Sequence, residues 1–205
     1  MSVVGCLLDL NFAVDSSGSM NSVNWDTALQ FVVNVIEQFK IGPDNVQVAF
    51  VLFSDVARVE WGLTRYRDKR NLRYAIRNVR QLKQTTNLND ALYLTRTVVF
   101  APDHGTRPGA LKVTIILTDG EDNEPMVDTP LTLANATACK DEGIQLIAVG
   151  VSHLVDEARL RQIVSDSQRD YYSVNDFNAL RSFVIQLGPQ SCAITTTPAT
   201  SIRSC

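Results

Sequence analysis

Leu7-Leu8-Asp9-Leu10-Asn11-Phe12-Ala13-Val14 runs directly into Asp15-Ser16-Ser17-Gly18-Ser19. The first eight residues read as a buried strand. The chain then turns through small, oxygen-bearing side chains in a D-x-S-x-S spacing. One carboxylate and two hydroxyls converging on a strand-to-helix loop make a hard, oxygen-only cavity. Such a cavity suits a magnesium-type divalent cation, which takes oxygen ligands, keeps several waters and accepts one more ligand from outside.

Outward from this loop, strand-like apolar runs alternate with segments of helical period. Leu7–Asp15 is the first strand, and Val23–Phe39 is a helix with Trp25, Ala28, Leu29, Val32, Val35, Ile36 and Phe39 near a 3.6 period. Val46–Ser54 is the second strand. Arg58–Leu63, reached by a tight connection, is a short antiparallel edge. Further strands are expected over Val113–Thr118, Ile144–Val151 and Tyr171–Val174. Helices are expected over Asp68–Leu82, Asn89–Val99, Leu131–Glu142, Asp156–Val164 and Phe177–Leu187, the last stopped by Gly188-Pro189. The pattern predicts an α/β fold: a Rossmann-like, doubly wound, mostly parallel six-stranded sheet with one antiparallel edge strand and helices on both faces. Ligands of such sheets bind beyond the carboxyl ends of the strands. Asp15 to Ser19 and Thr118-Asp119-Gly120 both fall there.

The bulk numbers fit one sizeable domain. The chain has 205 residues, is 45% hydrophobic and 20% charged, and carries a formal net charge of −3. That balance gives no support to a nucleic-acid binder. No apolar run approaches the roughly 18 residues that span a bilayer. Met1 to Leu8 lacks the pattern of a signal peptide, which leaves a cytosolic protein or a piece of a secreted chain. Enzyme signatures are missing: there is no G-x-G-x-x-G after a strand, no phosphate-binding G-x-x-x-x-G-K-[ST] loop and no G-x-S-x-G elbow. His104 and His153 sit in loop-like contexts. Residues 1–192 are read as the domain, and 193–205, rich in Thr and Ser, as a linker or tail.

Several blocks, in order, resemble the von Willebrand factor type A domain family: D-L-N-F-A-V-D-S-S-G-S-M, then Phe53-Ser54, Val59-Glu60-Trp61-Gly62-Leu63, T-N-L-N-D-A-L, Ile115-Ile116-Leu117-Thr118-Asp119-Gly120, and Gly143 to Val151. The resemblance covers Leu8 to Leu187. It implies a metal-ion-dependent adhesion site formed by Asp15, Ser17, Ser19, Thr86 and Asp119. The family pattern puts its threonine four residues before the position held here by Asp90, which selects Thr86 over Thr85. It further implies a divalent cation, magnesium first with manganese or calcium as alternatives, completed by an acidic side chain of a partner. The pattern looks closest to the matrilin-like and collagen-associated kind. That implies a secreted, extracellular matrix adhesion module, not an enzyme, whose partner is a collagen or another matrix component. Intracellular assembly modules of the same fold are the alternative, followed by a metal-dependent hydrolase. Gln84-Thr85 stands where the family often has a glycine pair.

Smaller signals have two readings each. Cys6, before the first strand, and Cys192, after the last helix, are placed to staple the two ends as a disulfide. Four cysteines allow three connectivities, however, and unrelated thiols are the other reading. Such a bridge would tether the final helix. Glu121, Asp122 and Glu124 are an acidic rim or a solvated loop. Arg70, Arg73, Arg77 and Arg80 form a basic helix face opposite Leu72, Ile76 and Val79, either a contact for sulfated glycans or a solvated face. Asn135-Ala136-Thr137 is a glycosylation sequon inside an expected helix.

Overall fold

The computed structural model describes residues 7–119, 129–152 and 155–173. In chain order the elements are β1 (Leu8–Asp15), α1 (Ser22–Glu37), β2 (Val46–Phe53), β3 (Ala57–Trp61), α2 (Lys69–Arg77), α3 (Leu88–Leu94), β4 (Leu111–Thr118), α4 (Thr129–Asp141), β5 (Ile144–Gly150), α5 (Glu157–Ile163) and β6 (Tyr171–Ser173). The strands form one six-stranded sheet in the order β3-β2-β1-β4-β5-β6. β1 pairs in parallel with β2 and β4, and the β4–β5 and β5–β6 pairs are also parallel. β2 and β3 pair antiparallel at the edge. This is the architecture expected from the alternation of strand and helix patterns.

The period-2 alternation of the central strands explains why they read as unbroken apolar runs: both faces of the sheet are covered. Leu8, Leu10, Phe12 and Val14 of β1 pack with Phe50, Ile115 and Val149 against the apolar faces of α1 and α2. Ala13, Val51, Phe53, Ile116 and Ala148 face the other way, onto α3, α4 and α5. Asn21 caps α1, its side-chain oxygen accepting from the backbone of Val23 at 2.9 Å and Asn24 at 3.0 Å. Cys139 is a buried thiol within the second layer. No helix among the described residues is long and apolar enough to cross a membrane.

Two helices differ from the sequence pattern. The helix expected over Asp68–Leu82 ends at Arg77, with Asn78 as its C-cap. Beyond it the chain leaves helical geometry because the Leu82 amide donates to the Ser16 hydroxyl at 2.6 Å and the Lys83 amide to the Ser16 carbonyl at 2.7 Å. Arg80 therefore does not belong to the helical face of Arg70, Arg73 and Arg77. The helix expected over Asn89–Val99 is α-helical only to Leu94 and widens to a π turn over Thr95–Val99, where the Phe100 amide reaches the Thr95 carbonyl at 3.0 Å. In that turn the buried Thr95 hydroxyl accepts from Nδ2 of the Asn11 side chain on β1 at 3.1 Å, which gives that buried donor a partner.

Candidate functional site

Strand order reverses between β1, whose chain leads on to β2 on one side, and β4, which lies on the other. The carboxyl ends of these two strands thus form the switch point at which open α/β sheets hold ligands. Asp15 ends β1 and Asp119 directly follows β4, and both are fully buried. A continuous hydrogen-bonded chain joins them. Thr118 Oγ1 donates to Asp15 Oδ2 at 2.7 Å, and the Ser17 amide donates to Asp15 Oδ1 at 2.9 Å. The Ser17 and Ser19 hydroxyls share a hydrogen bond of 2.9 Å, and Ser19 Oγ donates to Asp119 Oδ1 at 3.1 Å. The structure therefore brings together four of the five residues singled out in the sequence: Asp15, Ser17, Ser19 and Asp119.

Thr86, the fifth, is half-buried on the loop that runs from α2 into α3. Its loop is laced to the Asp15 turn. The Gly18 amide donates to the Gln84 carbonyl at 2.7 Å, and Gln81 Nε2 donates to the carbonyls of Ser17 at 2.9 Å and Met20 at 2.5 Å. Ser54 Oγ at the end of β2 donates to the Thr85 carbonyl at 2.9 Å and accepts from the Gln84 amide at 3.0 Å. One residue before Gln84-Thr85, Lys83 takes the left-handed conformation, with φ of 65°. Past the loop, Asn87 caps α3 by accepting from the Asp90 amide at 3.1 Å.

Sequence reasoning missed this supporting layer of Ser16, Ser54, Gln81, Thr118 and Ser152. Ser152 Oγ donates to the Asp119 carbonyl at 3.1 Å. Only Thr118 and Ser16, adjacent to the marked aspartate and serine, carried a local signal. Gln81 and Ser54 reach the site from distant segments.

Burial pushes the Asp15 carboxyl up to about 6, against the opposing pull of hydrogen bonds from Ser17 and Thr118, and the nearby Asp119 charge pushes the same way. No lysine or arginine among the described residues pairs with Asp15. Two buried carboxylates, linked by hydroxyls and lacking a basic partner at Asp15, are chemically suited to a hard cation. No three His, Cys, Asp or Glu side chains gather to hold a metal among the described residues; the other oxygens beside the two carboxylates are the Ser17 and Ser19 hydroxyls.

The raised Asp15 value has a sign that can be measured. In chelator, the folded chain keeps a proton on Asp15 between the ordinary 3.8 and about 6, where the unfolded chain has already released it. The share of stability owed to Asp15 is therefore expected to fall as pH rises through that window. Subtracting the urea-unfolding curves of Asp15→Asn from those of the parent isolates it. A difference that is flat with pH would refute the burial of an ionisable Asp15.

The other marked residues lie apart. Arg70 and Arg77 are exposed on α2, whereas Arg73 pairs with Glu37 at 3.3 Å. Asn135 lies inside α4, and its Nδ2, the atom a glycan would use, donates to Asn89 Oδ1 at 2.7 Å. A sugar at Asn135 would have to displace that contact. Cys6, Cys192, Glu121, Asp122, Glu124, His153, the helix expected over Phe177–Leu187 and the 193–205 tail lie outside the described residues.

A family profile for the von Willebrand factor type A domain matches residues 9–186. The chain is 35% identical over 185 residues to the collagen alpha-1(XII) chain of Notophthalmus viridescens, covering 90% of this chain and 19% of that one. It is 31% identical over 189 residues to mouse matrilin-1, covering 92% of this chain and 36% of that protein. It thus spans about a fifth and about a third of these relatives' lengths. Among solved structures, proximal thread matrix protein 1 from the mussel byssus, in a form with its MIDAS motif occupied by zinc, superposes with a TM-score of 0.77 at 27% identity, over 90% of this chain and 46% of that one. Manganese-loaded TRAP protein of Plasmodium vivax shares the fold, with a TM-score of 0.72 at 23% identity, over 87% of this chain and 73% of that one. The chain belongs to the von Willebrand factor type A domain family and is of the secreted, extracellular matrix kind found in matrilins and collagens.

Proposed function

We propose that this domain is an adhesion module that grips a matrix protein, such as a collagen, through a divalent cation held by Asp15, Ser17, Ser19, Thr86 and Asp119. The observation that carries the reading is the hydrogen-bonded chain from buried Asp15 through Ser17 and Ser19 to buried Asp119 at the switch point of the sheet. A cation bound there supplies an electrophilic position that a partner's carboxylate can fill. Asp15 and Asp119 would provide the negative charge, at least in part through water, and the three hydroxyls neutral oxygens, so that few direct carboxylate contacts leave the ion electrophilic. Magnesium is the first candidate by hardness and abundance of oxygen donors. The zinc-occupied motif of the mussel relative supports a metal at the corresponding place.

A binding role also fits what surrounds the pair. His104 lies in the turn Pro102–His104, a few residues before Arg107, which bonds Asp9 at the far end of β1. It is not placed to serve the Asp15–Asp119 pair as a general base. The matrilin and collagen relatives support a partner within the matrix. Capture of matrix proteins from a tissue extract, with magnesium and then with chelator, tests the reading. Retention that is equal in both conditions would overturn it.

Gln81 provides a second check. Its amide is a side-chain tether between the Thr86 loop and the Ser17 turn. Gln81→Ala should lower magnesium affinity by roughly tenfold, the usual effect of removing an outer support of a metal site, while Thr86→Ala should lower it more. Calorimetric titration would show this. Unchanged affinity in both variants would remove the loop from the site.

A further inference from the structure

Residues 65–83 carry eight of the chain's 19 basic residues and, in Asp68, one of its 22 acidic ones, in a chain whose net charge is −3. The structure decides which of these charges are spent. Glu37 of α1 holds Lys69 at 3.5 Å and Arg73 at 3.3 Å on one flank of α2. Asp68, two residues before Arg70, caps the helix, accepting from the Asn71 backbone amide at 2.9 Å and from the Asn71 side chain at 2.7 Å, and acts on Arg70 by its charge without a close ion pair. Arg70 and Arg77 form no ion pair among the described residues and are exposed. Between them lies Tyr74, four residues after Arg70 and three before Arg77 and therefore on the same face, with 72% of its surface in water. The opposite face, Leu72 and Ile76, is sealed in the core, so this strip cannot rotate inward.

We propose that this outer face of α2 binds a sulfated polysaccharide, with Arg70 and Arg77 pairing its sulfates and Tyr74 stacking on a sugar ring. Guanidinium forks match the oxygens of a sulfate bidentately. An exposed aromatic ring with a polar tip offers the flat apolar surface that the C–H face of a pyranose covers. A membrane surface would need an apolar face to insert, and the apolar face of α2 is already buried. The remainder of the chain has a net charge of −10, the difference between −3 overall and +7 for residues 65–83, so an extended polyanion is attracted to this strip and repelled elsewhere.

The test is binding of the whole chain to fluorescein-labelled heparin in chelator, which makes the result independent of the metal site. Saturable binding that weakens with salt is expected. Arg70→Ala and Arg77→Ala should each weaken it by roughly tenfold and lower the slope of log affinity against log salt by about one, by analogy with phosphate contacts. Tyr74→Ala should weaken binding several-fold with the slope unchanged, and Tyr74→Trp should preserve it. Fully desulfated heparin should not compete. All three side chains are exposed, so unchanged melting temperatures will separate lost contacts from lost fold. Parent-like binding by the Arg70→Ala/Arg77→Ala double variant would overturn the proposal. So would equal competition, at matched charge, by polyglutamate, an oligonucleotide or phosphatidylserine vesicles.

Discussion

Replacing Asp119 with asparagine is expected to lower magnesium or manganese affinity by roughly a hundredfold or more, the upper end of what even outer-shell changes cost metal sites. The chelated protein should meanwhile lose no stability. The asymmetry follows from burial. Asparagine keeps the side-chain oxygen that accepts from Ser19, so the hydrogen-bonded chain survives. It deletes one of two negative charges held together out of water. Asp119 is one of the groups that push the Asp15 carboxyl up, after the larger effect of burial itself, and its neutralisation lets Asp15 ionise more readily. The cation loses a charged ligand, whereas the empty fold loses a repulsion. Calorimetric titration, with thermal melts in chelator beside it, separates the two effects. Parent-like metal affinity would sink the proposed site, and a large fall in the chelated melting temperature would show that Asp119 is a structural group.

Arg107→Ala is expected to be the most destabilising change at a polar residue, by about 3–5 kcal/mol, for a reason at the other end of β1. Asp9 is fully buried in that strand. Arg107 is its counter-ion: its guanidinium lies 2.6 Å from Asp9 Oδ1, and its backbone amide donates to Oδ2 at 2.9 Å. The same guanidinium also caps the carbonyls of Pro43 at 2.7 Å and Leu8 at 2.8 Å. Truncation would leave a carboxylate in the core without its counter-ion, held only by the backbone amide at residue 107, which costs far more than the pair itself contributes. The melting temperature should fall on the order of 10 °C. Asp9→Val combined with Arg107→Met should recover most of the loss, since removing both charges removes the penalty. A double variant no more stable than Arg107→Ala would show that the guanidinium acts through Pro43 and Leu8 instead. Asp9 stands six residues before Asp15, roughly 20 Å along the strand, so the folded fraction of either variant should bind metal normally.

Strand–helix alternation, the edge position of β3 and the location of the Asp15 and Asp119 turns were legible in the sequence, because each depends on the period of apolar residues within a short window. So was the pairing of a D-x-S-x-S turn with a second aspartate, once the parallel sheet put both at one end. Tertiary contacts decided the rest. The helix expected to run to Leu82 stops at Arg77 because Ser16 draws the following chain away, and nothing within residues 68–82 announces a hydrogen bond to a residue more than sixty positions earlier.

Local chemistry written along the chain thus determined the sheet, its two covered faces and the oxygen-bearing loops, since strand period and turn composition are properties of neighbours. The bond between Ser19 and Asp119, the tether from Gln81, the burial of Asp9 against Arg107 and the pairing of Arg73, but not of Arg70 or Arg77, with an acid among the described residues were decided only by the tertiary structure. Each joins residues far apart in the chain, and its energy depends on how much water the folded core removes.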